Sequence, residues 1–396
     1  MNLQGKRILL GIGGGIAVYR AVELMRLLMK QGAEVRCVMT KSAQEFVTPL
    51  TFEALSGEKV HHDLFDLTEE HGMGHIQLVR WADVVVLAPV TSNLLAKISY
   101  GIADDLLTTL MLACEKPVLI APAMNTSMWL ADATQTNIKT LEGRGYVVVE
   151  PASGELACGE KGAGRLAEPE VIAEALLPLL TAQTLKGQHW VINAGPTVES
   201  WDVVRTLSNR ATGTLGVMLA NAAAIAGANV ILVAGVGSPK SMAIINRIDV
   251  ESAAQMLQAC KDAAKGADVF VGTSAVSDFR FKNTSATKIK RQGIQDMQVE
   301  MVANPDIIAD IAHMTERPKM VVAFAAESEN HLDYAKDKLK AKGVDAIVAN
   351  DVSNMGNHLA SGWWVSASKE VELTSMPKEK FARLLLQHIA GNPSRV

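Results

Sequence analysis

Two strand–glycine–helix openings, one at the N-terminus and one halfway along, constrain this chain more than any other feature. The first spans Gly5 to Arg20, GKRILLGIGGGIAVYR. The second spans Gly187 to Gly216, GQHWVINAGPTVESWDVVRTLSNRATGTLG. There a strand-like run, His189 to Asn193, ends in Gly195-Pro196-Thr197, and a polar loop leads through Ser208-Asn209 to a helix-like run from Thr214 to Ala226. Nucleotide-binding α/β units begin this way, because a glycine turn lets backbone and helix N-terminus approach a phosphate. Two openings imply two domains, each with its own ligand. The length agrees, since 396 residues exceed what one hydrophobic core serves.

In the first half, strands alternate with helices. Lys6 to Leu10 reads as a strand, Ile16 to Gln31 as a helix closed by Gly32, and Glu34 to Met39 as the next strand. Ser42 and Glu45 form a capping-box pair that predicts another helix start. Val84 to Ala88 and Pro117 to Ala121 are near-continuous apolar runs, the signature of parallel strands buried on both faces. The expected fold class is α/β with two doubly wound, Rossmann-like domains, the N-terminal one flavodoxin-like.

The second half repeats some phrases of the first. Gly32-Ala33-Glu34-Val35 returns as Gly227-Ala228-Asn229-Val230, and Ala82-Asp83-Val84 as Ala267-Asp268-Val269. The offsets drift, so convergence of two similar sheets explains them better than a strict repeat. The polar stretch TAQTLKG, Thr181 to Gly187, follows a helix expected over Pro169 to Leu180 and sets the expected domains at 1–186 and 187–396.

A net charge of -4 gives no reason to expect a nucleic-acid partner. Apolar runs such as Val84 to Val90 fall short of the ~20 residues of a membrane span. Met1 to Lys6 leads straight into a strand, with no signal peptide visible. Cys37, Cys114, Cys158 and Cys260 form no CxxC pair. That argues against a zinc site or disulfides and for a reducing, cytoplasmic location.

The first glycine loop starts like a dinucleotide fingerprint, but Ile16 replaces the third glycine. Thr40 ends the second strand where an NAD-binding unit carries an acid. Gly11, Gly13, Gly14, Gly15 and Thr40 therefore suit a single phosphate, as in FMN, better than NAD. The plainer alternative is that the glycines serve only a tight turn. Three further features crowd this half. His75 sits in the glycine-flanked loop GMGH, and Asn125 ends PAMN directly after a buried strand. The Asn125 amide can donate and accept toward a carboxylate, or merely cap a helix. Cys158 lies among the glycines of SGELACGEKGAGR, where a thiol reads as a reactive group on a lid.

With Gly11 to Gly15, MGH, PAMN followed by Met128-Trp129, and ACG in view, the first half resembles the flavin-dependent cysteine decarboxylases. The second carries AGPT (194–197), Ser208-Asn209, GTSAVSDFR (272–280), KIK (288–290), ANPDI (303–307) and FAAE (324–327). Together, from about residue 5 to about residue 390, the chain resembles the bacterial bifunctional coenzyme A biosynthesis family. Its members join phosphopantothenoylcysteine decarboxylase to phosphopantothenate–cysteine ligase.

The resemblance implies an enzyme that ligates 4'-phosphopantothenate with L-cysteine, using CTP and Mg²⁺, through an acyl-cytidylate. It then decarboxylates 4'-phosphopantothenoylcysteine to 4'-phosphopantetheine with FMN. In the decarboxylase, oxidation of the thiol-bearing carbon to a thioaldehyde creates the electron sink. His75 falls in the base region, Asn125 grips the substrate carboxylate, Cys158 is the proton donor, and Thr91 joins the FMN-binding set. In the ligase, Asn209 holds the acyl-cytidylate and Lys288 the triphosphate. Nucleotide contacts carry over to Gly272, Thr273, Ser274, Asp278, Asn304, Pro305, Asp306, Ile307, Phe324, Lys338 and Lys342. The residues holding Mg²⁺ are not assigned. A homo-oligomer with trimeric decarboxylase and dimeric ligase contacts is implied as well.

From the residues alone, Lys338 and Lys342 stand four apart on one helix face, and Asn304-Pro305 reads as an N-cap with Pro at N1. The chain departs from the family pattern at Gly13, where Ser or Thr is usual, at Thr214, where Lys is usual, and at Phe279, where Tyr is common. Two readings compete with the enzyme: a nicotinamide oxidoreductase, disfavoured by Ile16 and Thr40, and a non-catalytic FMN-binding protein, disfavoured by His75, Asn125 and Cys158 together.

Overall fold

A computed structural model describes residues 3–64, 74–155, 159–290, 296–327, 331–351 and 357–391; the side chains of 74, 75, 326, 327, 331 and 351 lie outside the description. The chain divides into two compact units, Met1–Thr181 and Ala182–Val396. Among the described residues no helix is long and apolar enough to cross a membrane.

Unit one runs β1 (Arg7–Ile12), α1 (Val18–Lys30), β2 (Glu34–Met39), α2 (Lys41–Gln44), α3 (Pro49–Ser56), α4 (Gly74–Trp81), β3 (Val84–Val90), α5 (Ser92–Tyr100), α6 (Leu106–Leu112) and β4 (Val118–Pro122). It continues with α7 (Thr126–Leu130), α8 (Asp132–Gly143), β5 (Val147–Val148), β6 (Ala152–Glu155), β7 (Lys161–Arg165) and α9 (Pro169–Leu176). Five parallel strands stand in the order β2-β1-β3-β4-β5, the flavodoxin-like arrangement, with β6 and β7 as a separate antiparallel hairpin.

Every residue of β3 is buried, as its unbroken apolar run predicts. The apolar face of α1 (Val18, Ala21, Leu24, Met25, Leu28) is buried at helical spacing. Each such Leu or Met contributes up to about 1.5–3 kcal/mol by leaving water. This helix starts two residues later than expected. The Ser42–Glu45 box does not form: Thr40 caps α2, its hydroxyl accepting from the Ala43 amide at 3.3 Å, and Ser42 lies inside the first turn. The helix expected over 169–180 ends at Leu176 and passes into a 3₁₀ turn at Pro178–Leu180.

Unit two runs β8 (His189–Ala194), β9 (Val198–Ser200), β10 (Thr206–Ser208), α10 (Thr214–Ile225), β11 (Asn229–Ala234), β12 (Asn246–Asp249), α11 (Ala253–Ala264), β13 (Val269–Gly272), β14 (Phe279–Phe281) and β15 (Met301–Ala303). It ends with α12 (Ile307–Ala312), β16 (Met320–Glu327), α13 (His331–Lys342), β17 (Ala346–Asp351), β18 (Leu359–Ser366), β19 (Glu370–Pro377) and α14 (Lys378–Ile389). The main sheet is ordered β12-β11-β8-β13-β16-β17-β18-β19, parallel as far as β17 and antiparallel beyond it. Its first six strands follow the 3-2-1-4-5-6 order of dinucleotide-binding sheets. Both units are thus doubly wound, with switch points between β1 and β3 and between β8 and β13, where such sheets bind ligands.

The phrases shared by the halves do equivalent jobs. Asp83 accepts from the Arg7 amide at 2.9 Å and Asp268 from the His189 amide at 2.8 Å, each tying the start of the unit's first strand. Gly32 (φ +94°) and Gly227 (φ +99°) take the left-handed turn after each unit's first long helix.

Candidate functional site

At the switch point of unit one, β1 delivers residues 13–17 as a loop into α1. The Gly13 amide donates to Pro89 O at 3.0 Å. The amides of Gly14, Gly15, Ile16 and Ala17 find no acceptor among the described residues. Four free donors ahead of a 13-residue helix make an anion seat. A Cβ at Gly13 would lie 2.7 Å from Pro89 O, and one at Gly14 would lie 2.3 Å from Ser42 Oγ. The missing side chains therefore let the loop close against its neighbours. A Cβ at Gly15 would meet only Thr91, at 3.6 Å, and so faces open space. These features fit the phosphate of a flavin mononucleotide.

Other members of the expected set are placed differently. Gly11 lies within β1, where a Cβ would strike Leu87 at 2.5 Å and Leu107 at 2.6 Å; it serves the core. Thr40 is buried, and its hydroxyl is engaged by Ile12 O, the Ala43 amide and Ser42. The hydroxyl beside the loop belongs instead to Ser42, which is exposed. Thr91 caps α5, accepting from the Leu94 amide at 3.2 Å.

Asn125 follows β4 and caps α7, its Oδ1 accepting from the Ser127 amide at 2.8 Å. Its Nδ2 donates to Glu160 Oε2 at 2.7 Å. Capping and a polar contact toward the β6–β7 hairpin thus coexist in one side chain. The hairpin lies close to this segment. The Met124 amide donates to Gly164 O at 2.9 Å, and a Cβ at Gly162 would stand 2.6 Å from Thr126 Oγ1. Cys158 lies outside the described residues; so does the side chain of His75, the second residue of α4.

In unit two a cleft of about 670 Å³ opens at the β8–β13 switch point and extends along β16 and β17. It gathers Asn209, Thr273, Ser274, Asp278, Asn304, Pro305, Asp306, Ile307, Phe324, Lys338 and Lys342. The turn after β13 is held by Asn193, fully buried at the end of β8, whose Oδ1 accepts from the Thr273 and Ser274 amides at 2.8 and 3.1 Å. Gly216 brings α10 onto the sheet, since a Cβ there would lie 2.1 Å from Thr273 Oγ1. Asn209 Nδ2 donates to Ala275 O and Val276 O, both at 3.1 Å, pinning the same loop from the other side.

Asn304 does not cap a helix. Its Nδ2 donates to Ser277 O at 2.8 Å, and α12 begins two residues beyond Pro305, capped by Asp306, which accepts from the Ala309 amide at 3.1 Å. Lys342 pairs with Asp306 at 2.8 Å. Burial pushes the Asp306 carboxyl up, but the bonds from Lys342 and Ala309 outweigh it and hold the group below the usual range.

Two expected residues lie off the cleft lining. Gly272 ends β13 beneath Ile308, which a Cβ would meet at 2.8 Å. Lys288 is exposed beside the β9–β10 hairpin. Its neighbour Ile289 is anchored there: Asp202 Oδ2 accepts from the Ile289 amide at 3.0 Å, and Arg205 donates to Ile289 O at 2.6 Å. Asp202 also accepts from the Val204 and Arg205 amides and pairs with the Arg205 guanidinium, which depresses its pKa strongly. Asn193, Asp202, Ser42 and the cleft residue Lys378 were not expected from the sequence: the first three meet groups distant in the chain, and Lys378 is set apart only by its burial at the cleft. Among the described residues no group of three or more His, Cys, Asp or Glu side chains gathers to hold a metal.

Comparison with known proteins matches both halves. The family described as Flavoprotein matches residues 1–181, and the DNA/pantothenate metabolism flavoprotein C-terminal domain matches residues 185–392. The chain is 44% identical over 381 residues to the Coenzyme A biosynthesis bifunctional protein CoaBC of Haemophilus influenzae, covering 95% of each. It is 41% identical over 398 residues to the protein of that name from Escherichia coli K12, covering 98% of each. For the Bacillus subtilis 168 protein the identity is 43% over 360 residues, covering 89% of this chain and 88% of that one.

Proposed function

Since the chain belongs to the family of coenzyme A biosynthesis bifunctional proteins, we propose that its two units divide the two reactions between them. Unit one, with FMN, decarboxylates 4'-phosphopantothenoylcysteine. Unit two uses CTP to join 4'-phosphopantothenate to L-cysteine. Ligation comes first, because its product is the substrate of the decarboxylation. The observation that carries the division is that each unit has its own ligand-ready switch point: free amides at Gly14–Ala17 in one, a lysine-bearing cleft in the other.

In unit one the loop amides seat the FMN phosphate. When bound, the flavin supplies the redox chemistry that turns the thiol-bearing carbon into an electron sink. Asn125, fixed through its Oδ1, turns its Nδ2 from Glu160 to the substrate carboxylate. His75 acts in the base region, and Cys158 delivers the final proton to carbon. The exposed apolar residues Ile16, in the loop, and Tyr19, in the first turn of α1, support a subunit contact near the flavin in a homo-oligomer.

In unit two Lys338 and Lys342 offset triphosphate charge, Asp278 reads the cytosine, and Phe324 packs beside the nucleotide. Lys288 acts as pyrophosphate leaves, and Asn209 holds the acyl-cytidylate until the cysteine amine displaces CMP. Mg²⁺ usually binds through substrate phosphates with few protein ligands, so the ion arrives with the triphosphate as part of the substrate.

Mass spectrometry of products from 4'-phosphopantothenate, L-cysteine, CTP and Mg²⁺ tests both halves at once. The FMN-loaded chain should yield 4'-phosphopantetheine. Accumulation of phosphopantothenoylcysteine with no decarboxylated product would refute the role given to unit one. Absence of any cysteine adduct would refute that of unit two.

A further inference from the structure

Lys378 is the first residue of α14, and α14 packs against α10, the helix that opens on the ligase cleft. The residue is only 9% exposed, yet it lines that cleft. No carboxylate or acceptor engages its ammonium among the described residues, whereas Lys342, which also lines the cleft, is paired with Asp306. Burial lowers its pKa, and no neighbouring charge raises it. A desolvated, unpaired cation opposes folding, so its presence at a cleft asks for an anion from outside the chain.

A second observation points the same way. The 12-residue helix α10 has Gly213 at its N-cap position, which has no side chain to cap it. The amides of Leu215 and Gly216 have no acceptor among the described residues, and both residues line the cleft. Free amides at a helix N-terminus and an unpaired lysine are complementary to the same kind of group.

We propose that Lys378, with the Leu215 and Gly216 amides, forms a subsite for a phosphoryl group of one of the two phosphorylated reactants of the ligase. The proposal rests on the ligase reading of unit two. The shared chemistry is a phosphoryl oxygen, and the source is either the nucleotide triphosphate or the phosphate monoester of phosphopantothenate. Lysine meets such oxygens through charge-assisted hydrogen bonds, and losing one should weaken binding about 10- to 100-fold.

The test uses the full-length, FMN-loaded chain with Lys378→Met, which keeps the stem without the charge, together with Lys378→Gln and Lys378→Arg. Calorimetry measures affinity for CTP and, separately, for 4'-phosphopantothenate. Loss for CTP alone assigns the subsite to the nucleotide; loss for phosphopantothenate alone assigns it to the monoester. Lys378→Arg should recover part of either loss. Without ligand, Lys378→Met should melt no lower than wild type, because it removes a desolvated cation. Should it misfold, Lys378→Gln provides the same comparison. Unchanged affinity for both ligands in a folded, uncharged variant overturns the subsite. The ligase reading fails separately, if the wild-type chain forms no cysteine adduct; titration with inorganic pyrophosphate then still decides whether Lys378 binds phosphoryl oxygen.

Discussion

Replacing Gly15 with Asp separates the electrostatics of the proposed flavin site from its packing. A side chain at Gly15 meets only Thr91, at the ordinary contact distance of 3.6 Å, and Gly15 is not among the glycines with positive φ. The fold should therefore accept alanine there at little cost. An aspartate places a negative charge beside the free amides of Gly14–Ala17. At ~5 Å and an effective dielectric of ~20–80, each pair of unit charges repels by ~0.8–3 kcal/mol. A phosphate carrying about −1.5 to −2 raises this to roughly 1–6 kcal/mol, or about 10- to 10⁴-fold in FMN affinity. Gly14→Ala makes the contrasting case. Its Cβ would stand 2.4 Å from Ser42 Cβ and 2.5 Å from the Ser42 carbonyl carbon, so backbone must move. Such overpacking costs about 1–3 kcal/mol or more. Flavin absorbance of the purified proteins, FMN titration and thermal unfolding together make the assay. Gly15→Asp should lose flavin while keeping its melting temperature close to that of Gly15→Ala; Gly14→Ala should lose both. Wild-type FMN affinity in Gly15→Asp, or equal losses in Gly15→Ala and Gly15→Asp, would refute the electrostatic account.

Burial pushes the thiols of Cys37 and Cys260 up to about 12, so native-state alkylation read by mass spectrometry should leave both unmodified at neutral pH, while half-buried Cys114 reacts slowly. His388, stacked on Trp364, is held below the ordinary histidine value of 6.5 by burial and, secondarily, by Lys369. The unfolded chain then takes up the proton first, so this contribution to stability is complete above pH 6.5 and is lost as pH falls below it. Melting temperature should fall more steeply there in wild type than in His388→Phe; parallel curves would remove His388 from the account. Asp202→Asn should release the segment carrying Lys288 and slow ligation by an order of magnitude or more, about what small misplacement of a reacting group costs. Decarboxylation of supplied phosphopantothenoylcysteine should be unchanged, and an equal loss of both activities would show general unfolding instead.

What the sequence disclosed, and what it hid, follows from the range of the interactions involved. The parallel strands were legible because burial on both faces forces unbroken apolar runs, and β3 shows nothing else. The turn glycines were legible because a left-handed residue leaves a local signature at 32 and 227. Asn304-Pro305 misled for the opposite reason. Its local grammar is that of a helix cap, but the Asn304 carboxamide reaches 27 residues back to Ser277 O, and Asp306 takes the cap. Asn193 and Thr273 meet 80 residues apart, Asp202 and Ile289 87 apart. Nothing in the periodicity around one partner announces the other. Lys378 is the extreme case, a lysine at a strand–helix junction distinguished only by burial.

The repeated phrases yield a further step. Asp83 and Asp268 tie the starts of β1 and β8 in the same way, yet the two sheets diverge in strand order immediately afterwards, 2-1-3-4-5 against 3-2-1-4-5-6. The shared wording therefore marks a shared local task, closing the strand ends opposite the ligand, and carries no information about what binds at the other end. Ligand identity resides in the loops at the carboxyl ends, where the halves share no phrase: three successive glycines after β1, but Gly195-Pro196-Thr197 and a distant Gly216 after β8. The first closes a short loop whose amides at Gly14–Ala17 find no acceptor among the described residues. The second leaves 19 residues between β8 and α10, enough to hold the β9–β10 hairpin and to bring Asn209 to the cleft. Either half alone shows a doubly wound sheet; the loop after its first strand distinguishes a short run of free amides from an open cleft.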